Sequence, residues 1–336
     1  IIWYNDQLPG FTAVELETVG GNLALTNDSV TDYPGLNALT SVAGKFVINH
    51  HDNLQQITGF TNLTTVGGEF VIASNSKLQS VSGLTSLQDV GALFEYRDNG
   101  SSAAGTGTVA FPALRTVGTD LEVTSNSGGM EELTIGTPGQ EITIGTVSDG
   151  SVDITVNSDL TTVTLNGFVS IPVDLSLSWN YKLESADAPE LQQIGGSLAL
   201  WYSSGTDRAL SSLSMSALTT IGGNLGASYT LLTDLTGLAT LGTIGGNVTI
   251  QYNDNLATLF GASGQLSSIG GFLKIYNNDA LTDLTGLSNL ESIGEELWIE
   301  YNDVLPSLAA LSTLDTIGRE DGGDKGLYIA NNPELE

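Results

Sequence analysis

The stretch that decides the fold is GGNVTIQYNDNL at residues 245–256, because the chain repeats it at a nearly constant spacing. The next two copies read GGFLKIYNNDAL at 270–281 and GEELWIEYNDVL at 294–305. Two earlier copies lie at 44–54 and 67–78. Neighbouring copies begin about 24 residues apart, a period typical of repeat proteins in which each repeat is one supersecondary unit.

Each copy contains two different spacings of apolar residues. Leu273 and Ile275 alternate with Lys274 and other non-core neighbours, which is the pattern of a β-strand with one buried face. After the strand, an apolar side chain stands at every third position, as in Leu284 and Leu287. This spacing is too tight for an α-helical face and predicts short extended or 3₁₀ segments. One repeat cannot bury its own leucines, so the copies must stack around a continuous core.

Glycine pairs and asparagines mark the two ends of each strand. A pair such as Gly245-Gly246 predicts a corner with positive φ and close backbone approach. At the strand exit, asparagine amides are predicted to point inward and to bond the turn backbone of their own and neighbouring coils. The recurring asparagines are Asn5, Asn75, Asn99, Asn126, Asn157, Asn180, Asn253, Asn278, Asn302 and Asn332.

The repeats predict an all-β fold, a right-handed parallel β-helix or leucine-rich-repeat-like solenoid with about 14 coils. We expect a single solenoid over residues 1–336, with regular coils in 1–98 and 189–336. The central coils, 99–188, are irregular and contain insertions. Two shorter solenoids that meet near 100–190 are the alternative.

The composition is that of a folded and strongly acidic protein. Hydrophobic residues make up 40% of the 336 residues, too many for a disordered chain. Asp and Glu number 38 but Lys and Arg only 9, so the formal net charge is −29. Such a surface repels nucleic acid and anionic membranes, and neither is an expected partner. No stretch reaches the roughly 18 apolar residues of a membrane span, so direct membrane insertion is not expected either.

Cysteine is absent, but a long solenoid buries enough core without disulfides, so this does not argue for the cytosol. Scarce lysine with abundant Gly, Ser, Thr and Asn resembles the composition of large bacterial surface proteins. The chain begins at Ile1, without a methionine and within a repeat, which indicates a processed or excised piece. We expect an extracellular or cell-surface location.

The order of strand, Asn-x-x-Leu and then Leu-x-x-Leu-x-x-Leu-x-x-Ile-Gly-Gly resembles the receptor L-domain-like leucine-rich repeat family. This chain resembles the bacterial or fungal surface-protein type of that family and has no cysteines. The L domain is the leucine-rich β-helix module of insulin- and EGF-type receptors. The match is best in 12–98 and 189–336. The resemblance implies extracellular recognition without universal binding residues. Because the cysteines that flank and cap the animal domains are missing, receptor signalling is not implied.

Few residues could carry catalysis. The two histidines are His50 and His51, side by side after a predicted strand. His51 takes the asparagine position of the repeat, and His50 takes the position of Tyr301. A nucleophile–histidine device would need one of them, but a corner position favours a turn role, or a weak surface metal site with Asp52. We expect no enzyme activity.

Carboxylates on successive central strands are a second set of candidate catalytic residues. Glu95, Glu122 and Asp153 take outward positions and could form the acidic cleft of a polysaccharide-active enzyme. Only Arg97 lies nearby in register. A solvated face is the favoured interpretation.

The segment 319–326 gathers acids and glycines. Asp321 and Asp324 are weak candidates for a calcium site, because the ligand spacing of an EF-hand is missing. No other cofactor is expected.

Aromatic residues recur at the outward positions and exits of the C-terminal strands. They are Trp201, Tyr202, Tyr229, Tyr252, Tyr276, Trp298, Tyr301 and Tyr328. Neighbouring coils stack about 4.8 Å apart, so these rings would form one patch. Exposed aromatic patches mark interaction sites, where sugars stack on the rings or protein partners use them as anchors. Shielding of the corners by Tyr252 and Tyr301 is the structural alternative.

The sequence therefore predicts a non-catalytic recognition or adhesion module that binds a glycan or a protein at a cell surface through the aromatic patch. One alternative is a stalk or a self-assembling unit of a filament or surface layer, because the chain begins and ends at the same phase of the repeat. The other is a polysaccharide-active enzyme that uses Glu95 or Glu122.

Overall fold

The computed structural model describes residues 2–3 (backbone only), 13, 15–27, 29–100, 107–145, 149–202, 209–318 and 326–336. These residues form β-strands and turns with four short 3₁₀ segments, and no α-helix occurs among them. The chain forms two compact units. Unit 1 comprises Ile1–Pro172 and Asn180–Lys182, and unit 2 comprises Val173–Trp179 and Leu183–Glu336.

Each unit has a parallel main sheet, in which strands of successive turns are neighbours. In unit 1 these strands are Ile2–Trp3, Leu23–Thr26, Phe46–Asn49, Phe70–Ala73, Phe94–Arg97, Leu121–Thr124 and Val152–Thr155. In unit 2 they are Leu175–Ser176, Leu198–Trp201, Leu225–Ser228, Val248–Gln251, Leu273–Tyr276, Leu297–Glu300 and Leu327–Ala330.

A corner sheet of two-residue strands precedes the main sheet in each turn. In unit 1 its strands are Thr18–Val19, Ser41–Val42, Thr65–Val66, Asp89–Val90, Thr116–Val117 and Thr143–Ile144, and Ser170–Ile171 is a further strand of this kind. In unit 2 they are Gln193–Ile194, Thr220–Ile221, Thr243–Ile244, Ser268–Ile269, Ser292–Ile293 and Thr316–Ile317.

In part of the turns, the return path contains a short strand or a 3₁₀ helix. The strands are Thr108–Phe111, Glu132–Ile135 and Thr162–Leu165 in unit 1, and Ser185–Asp187 and Ser212–Ser214 in unit 2. The 3₁₀ segments are Ser82–Leu84 in unit 1, and Thr236–Leu238, Thr285–Leu287 and Ala309–Leu311 in unit 2. The predicted 3₁₀ segments with inward leucines are thus confirmed at Leu84, Leu238 and Leu287, which are buried.

The predicted parallel β-solenoid is confirmed, with a spacing of about 24 residues and about 12 turns. The seven main-sheet strands of each unit agree with the predicted number of about 14 coils. Several turns are longer than the repeat period: equivalent asparagines lie 27 residues apart from Asn99 to Asn126 and 31 apart from Asn126 to Asn157.

Strand neighbours stand in register without offset. Leu273 lies opposite Leu297, and Ile275 lies opposite Ile299. All four are buried, while the alternating Lys274 is half-buried on the outer face. The alternation read from the sequence therefore sets which side chains are inside and which form the outer surface.

The predicted asparagine ladder is present in each unit, except for Asn5, which lies outside the described residues. In unit 1 the Asn75 amide nitrogen donates to Asn99 Oδ1 at 3.0 Å and to the Ile48 carbonyl at 3.1 Å. In unit 2 the Asn278 amide nitrogen donates to the Ile250 carbonyl at 3.1 Å. Each amide satisfies backbone groups of neighbouring turns that would otherwise be buried without partners.

The glycine pairs differ from expectation in one respect. The corner pairs that precede the main strands do not have positive φ, whereas many strand exits do, at residues such as Tyr229, Tyr252 and Tyr301, with φ of 55° to 59°. The pairs are needed for close approach, because a Cβ on Gly245 would collide with the carbonyl oxygen of Gly222 in the preceding turn. Glycine is the residue that permits this contact.

The closest approach of a glycine to a neighbouring backbone occurs at Gly286, in the 3₁₀ segment Thr285–Leu287. A Cβ on Gly286 would overlap the backbone carbonyl of Leu259, whereas a Cβ on Gly242 would meet its nearest atom at 3.6 Å. We expect Gly286→Ala to lower the free energy of unfolding by about 1–3 kcal/mol, because backbone must move. Gly242→Ala in the same unit should be near neutral. Urea denaturation measures both, and equal effects would contradict the packing argument.

Candidate functional site

Four tyrosines of successive turns in unit 2 form a continuous line of contacts, here called the tyrosine row: Tyr229, Tyr252, Tyr276 and Tyr301. The first two rings stack face to face with centroids 4.6 Å apart and planes 6° apart. The next two contacts are edge-to-face, with centroids 5.4 and 5.2 Å apart. The predicted aromatic patch is therefore present, and its centre is this row.

The local backbone explains how the row forms. Tyr229, Tyr252 and Tyr301 stand at the left-handed strand exit, immediately before the buried ladder position. In the intervening turn Asn277 takes that exit, with φ of 52°, and Tyr276 supplies the ring from the last residue of its strand. Because the turns stack in register, one ring per turn suffices to make a row.

The hydroxyl groups of neighbouring tyrosines in the row interact with one another. A hydrogen bond with the side chain of Tyr252 raises the pKa of the Tyr276 phenol, and the nearby acidic groups Tyr301 and Glu300 add to the shift. The Tyr276 hydroxyl therefore stays uncharged at neutral pH.

A second aromatic pair lies on the outer face of the main sheet. Trp298 and Tyr328 are register partners with ring centroids 5.0 Å apart. The Lys274 ammonium lies 4.5 Å from the Tyr276 ring centroid and 5.8 Å from that of Trp298, so it joins this pair to the row. Both contacts fall in the range of cation–π attraction.

The prediction for Tyr202 is wrong. It stands at the register position of Tyr229, yet it lacks the left-handed backbone and is only 3% exposed. Its hydroxyl donates to the Leu177 carbonyl oxygen at 3.2 Å. A phenol can be buried when its hydroxyl finds such an acceptor, and burial raises the pKa of Tyr202.

Trp201 is 43% exposed, as expected for an outward residue. Its indole lies over Gly226 of the next strand, where a Cβ would collide with the ring. The aromatic surface of unit 2 is thus the tyrosine row, the Trp298–Tyr328 pair with Lys274, and Trp201.

Acidic side chains of three successive strands line up in unit 1. Glu95 lies opposite Glu122, and Glu122 lies opposite Asp153, as predicted from the register. Arg97 forms ion pairs with Glu95 and Asp98. Partial burial, followed by the charges of Glu95 and Asp153, raises the pKa of Glu122.

The raised pKa of Glu122 predicts a pH-dependent contribution to stability. A carboxyl whose pKa is raised by folding binds its proton more tightly in the folded state than in the unfolded state. Its contribution to stability is therefore fully present below the ordinary pKa of about 4.3, and it is lost as the pH rises through the raised pKa. We therefore expect Glu122→Gln to be more stable than the parent at neutral pH and equal to it in acid. Denaturation midpoints at about pH 7 and about pH 3 measure this. The exposed Glu141→Gln is the control, and a gain that does not change with pH would contradict the account.

The histidines have structural contacts in unit 1. His51 is buried at the ladder position, where its backbone N–H donates to Asn75 Oδ1 at 3.2 Å. Its Nε2 lies 3.0 Å from the Leu25 carbonyl oxygen and 3.3 Å from the Tyr33 hydroxyl. His50 has a left-handed φ of 59°, and Tyr301 at the equivalent position of unit 2 has one of 55°, so both predicted register positions are confirmed.

Among the described residues, no three His, Asp or Glu side chains are arranged to hold a metal ion. The weak calcium candidates Asp321 and Asp324 lie outside those residues.

A shallow open groove of about 420 Å³ crosses the corner sheet of unit 2. Its walls are repeated Thr or Ser, Ile and Gly residues, as at Thr220, Ile221 and Gly222. The aromatic surface, in contrast, offers rings and charged groups that can bind a ligand specifically.

In comparisons with known proteins, no family model matches the chain and no curated protein matches it. Over the ranges that the structure covers, no helix has the length and apolar character needed to cross a bilayer.

Proposed function

We propose that the protein is a non-catalytic recognition module of the cell surface, whose unit 2 binds a glycan or protein ligand through its aromatic surface. The observation that carries the proposal is the tyrosine row. Four rings at consecutive contacts of 4.6–5.4 Å lie on the outside of the solenoid, not in its core. Aromatic rings left at a surface in this way are typical anchors for ligands.

One ring of the row is well placed for contact, because Tyr301 is 42% exposed. Truncating an aromatic anchor at the centre of an interface often weakens binding by 2 kcal/mol or more, which is about 30-fold. We also propose that the chain is related to receptor L domains, and this relationship would agree with an extracellular recognition role.

The test is a glycan array and an array of extracellular proteins, each probed with the parent chain, Tyr276→Ala and Trp298→Ala. We expect both variants to lose at least about 30-fold in affinity for the ligand found. Tyr181→Ala, a half-buried tyrosine of unit 1, is the matched control and should bind as the parent does. Binding that is unchanged in both aromatic variants would remove the aromatic surface as the contact site.

A polysaccharide-active enzyme is the second candidate, and the carboxyl row of unit 1 is the observation that favours it. Paired carboxyls on adjacent strands, one with a raised pKa, are the arrangement that general acid catalysis of glycoside cleavage uses. Turnover of a polysaccharide that Glu122→Gln abolishes and Glu141→Gln leaves intact would support it. Turnover that survives Glu122→Gln would exclude this site.

A further inference from the structure

A second row of side chains accompanies the tyrosine row in unit 2. Asp254 and Asp303 stand two residues after Tyr252 and Tyr301, and Asp279 stands two residues after the corresponding exit residue Asn277. All three aspartates are exposed. We call them the aspartate row. It stacks from turn to turn for the same reason as the tyrosines, because the exits of neighbouring turns are in register.

The aspartates are close enough to repel one another. Desolvation, followed by the charges of Asp303 and Asp254, raises the pKa of Asp279. Concentrated negative charge of this kind is relieved when a cation binds against it. The structure therefore places a line of neutral rings beside a line of mutually repelling carboxylates.

The ring geometry argues against a stacked sugar at the first part of the row. A sugar binds an aromatic ring by lying on its flat face, and one flat face of Tyr229 and one of Tyr252 are covered by each other at 4.6 Å. At Tyr276 the nearest group to the ring face is an ammonium, that of Lys274 at 4.5 Å. The surface thus already holds one amine by the attraction between a cation and a ring.

We propose that the aromatic surface of unit 2 binds a positively charged polypeptide segment, whose lysine or arginine side chains lie between the tyrosine row and the aspartate row. This inference rests on the proposed recognition function and names its ligand class. Ring faces and carboxylates both attract ammonium and guanidinium groups. The net charge of −29 extends this complementarity to long range, because it accelerates the approach of a basic partner and slows that of an acidic one.

The test uses the full chain with three probes: octalysine, octaglutamate and the neutral sugar cellohexaose, each measured by calorimetry at low and at physiological salt. We expect octalysine to bind tightest. Asp279→Asn should weaken its binding about three- to tenfold. Asp52→Asn removes the same charge from the equivalent exit in unit 1, beside His50, and should change the affinity less than about twofold.

Lys274→Gln is the sharpest variant, because it frees the ring face of Tyr276 and removes a positive charge. The variant should bind octalysine more tightly than the parent does. If the surface bound an anionic ligand such as octaglutamate instead, the variant would bind that ligand less tightly. Thermal melts of each variant check that it is folded.

Three results would overturn the inference: equal weakening by Asp52→Asn and Asp279→Asn, weaker octalysine binding in Lys274→Gln, or octalysine binding that Tyr252→Ala leaves unchanged. If Tyr252→Ala weakens cellohexaose binding alone, the ligand is a glycan and the recognition function stands. If Tyr252→Ala changes the affinity for no probe, the proposed function fails together with this inference.

Discussion

Asn253→Ala should lower the free energy of unfolding by about 3–5 kcal/mol, a loss that few single substitutions cause. The Asn253 Oδ1 accepts hydrogen bonds from the backbone N–H of Thr230 at 2.9 Å and from its hydroxyl at 2.8 Å. Its amide nitrogen donates to the Ala227 carbonyl at 3.1 Å. Alanine removes the acceptor of both Thr230 groups and the amide donor to Ala227, and a buried polar group that loses its partner costs about 1–3 kcal/mol.

The matched control is Asn255→Ala in the same turn. Asn255 is exposed, so its replacement should change stability by less than about 0.5 kcal/mol. Urea denaturation followed by circular dichroism gives both values. If the two asparagines had equal effects, the ladder would not be the element that holds neighbouring turns together.

Phe70→Ala should destabilise unit 1 by about 4–5 kcal/mol. The ring is fully buried, and its centroid lies 5.2 Å from that of Phe46 and 4.9 Å from that of Phe94, both nearly parallel to it. Phe111 packs edge-on against the same ring at 5.9 Å. Removing the ring opens a cavity across several turns and breaks these aromatic contacts together.

Phe70→Leu keeps most of the volume and should cost only about 1–2 kcal/mol. The comparison of the two variants in the same denaturation experiment separates the size of the cavity from the loss of ring stacking. A small effect of Phe70→Ala would mean that the turns of unit 1 do not share one packed core.

The fold could be predicted because its causes are local and repeated. The alternation at Leu273 and Ile275 defines an inner face, and the asparagine at the strand exit recurs in nearly every turn. The left-handed exit could not be predicted, because residues as different as Ser74, Val156 and Tyr252 occupy it. The hydrogen bonds of the stacked turns impose this backbone conformation, and no single residue type marks it.

The aromatic surface was predictable from register, but two of its details were not. Tyr202 was predicted to lie outside, and it turns inward to a carbonyl acceptor that the sequence does not reveal. The aspartate row was missed although a signal existed: Asp254, Asp279 and Asp303 all stand two positions after a strand exit. The absence of enzyme activity, the extracellular location, the L-domain relationship and self-assembly stay predictions.

The central claim is that the turns of unit 2 stack in the register that aligns both rows, and engineered disulfides test it most directly, since the chain has no cysteine. Thr249 lies opposite Lys274, at a strand separation of about 4.8 Å that a disulfide can bridge. Tyr276 lies two residues further along, beyond its reach. We predict that mild oxidation closes a disulfide in Thr249→Cys/Lys274→Cys but not in Thr249→Cys/Tyr276→Cys, as read by mass spectrometry. Closure of the second pair in preference to the first would contradict the register and, with it, the two rows.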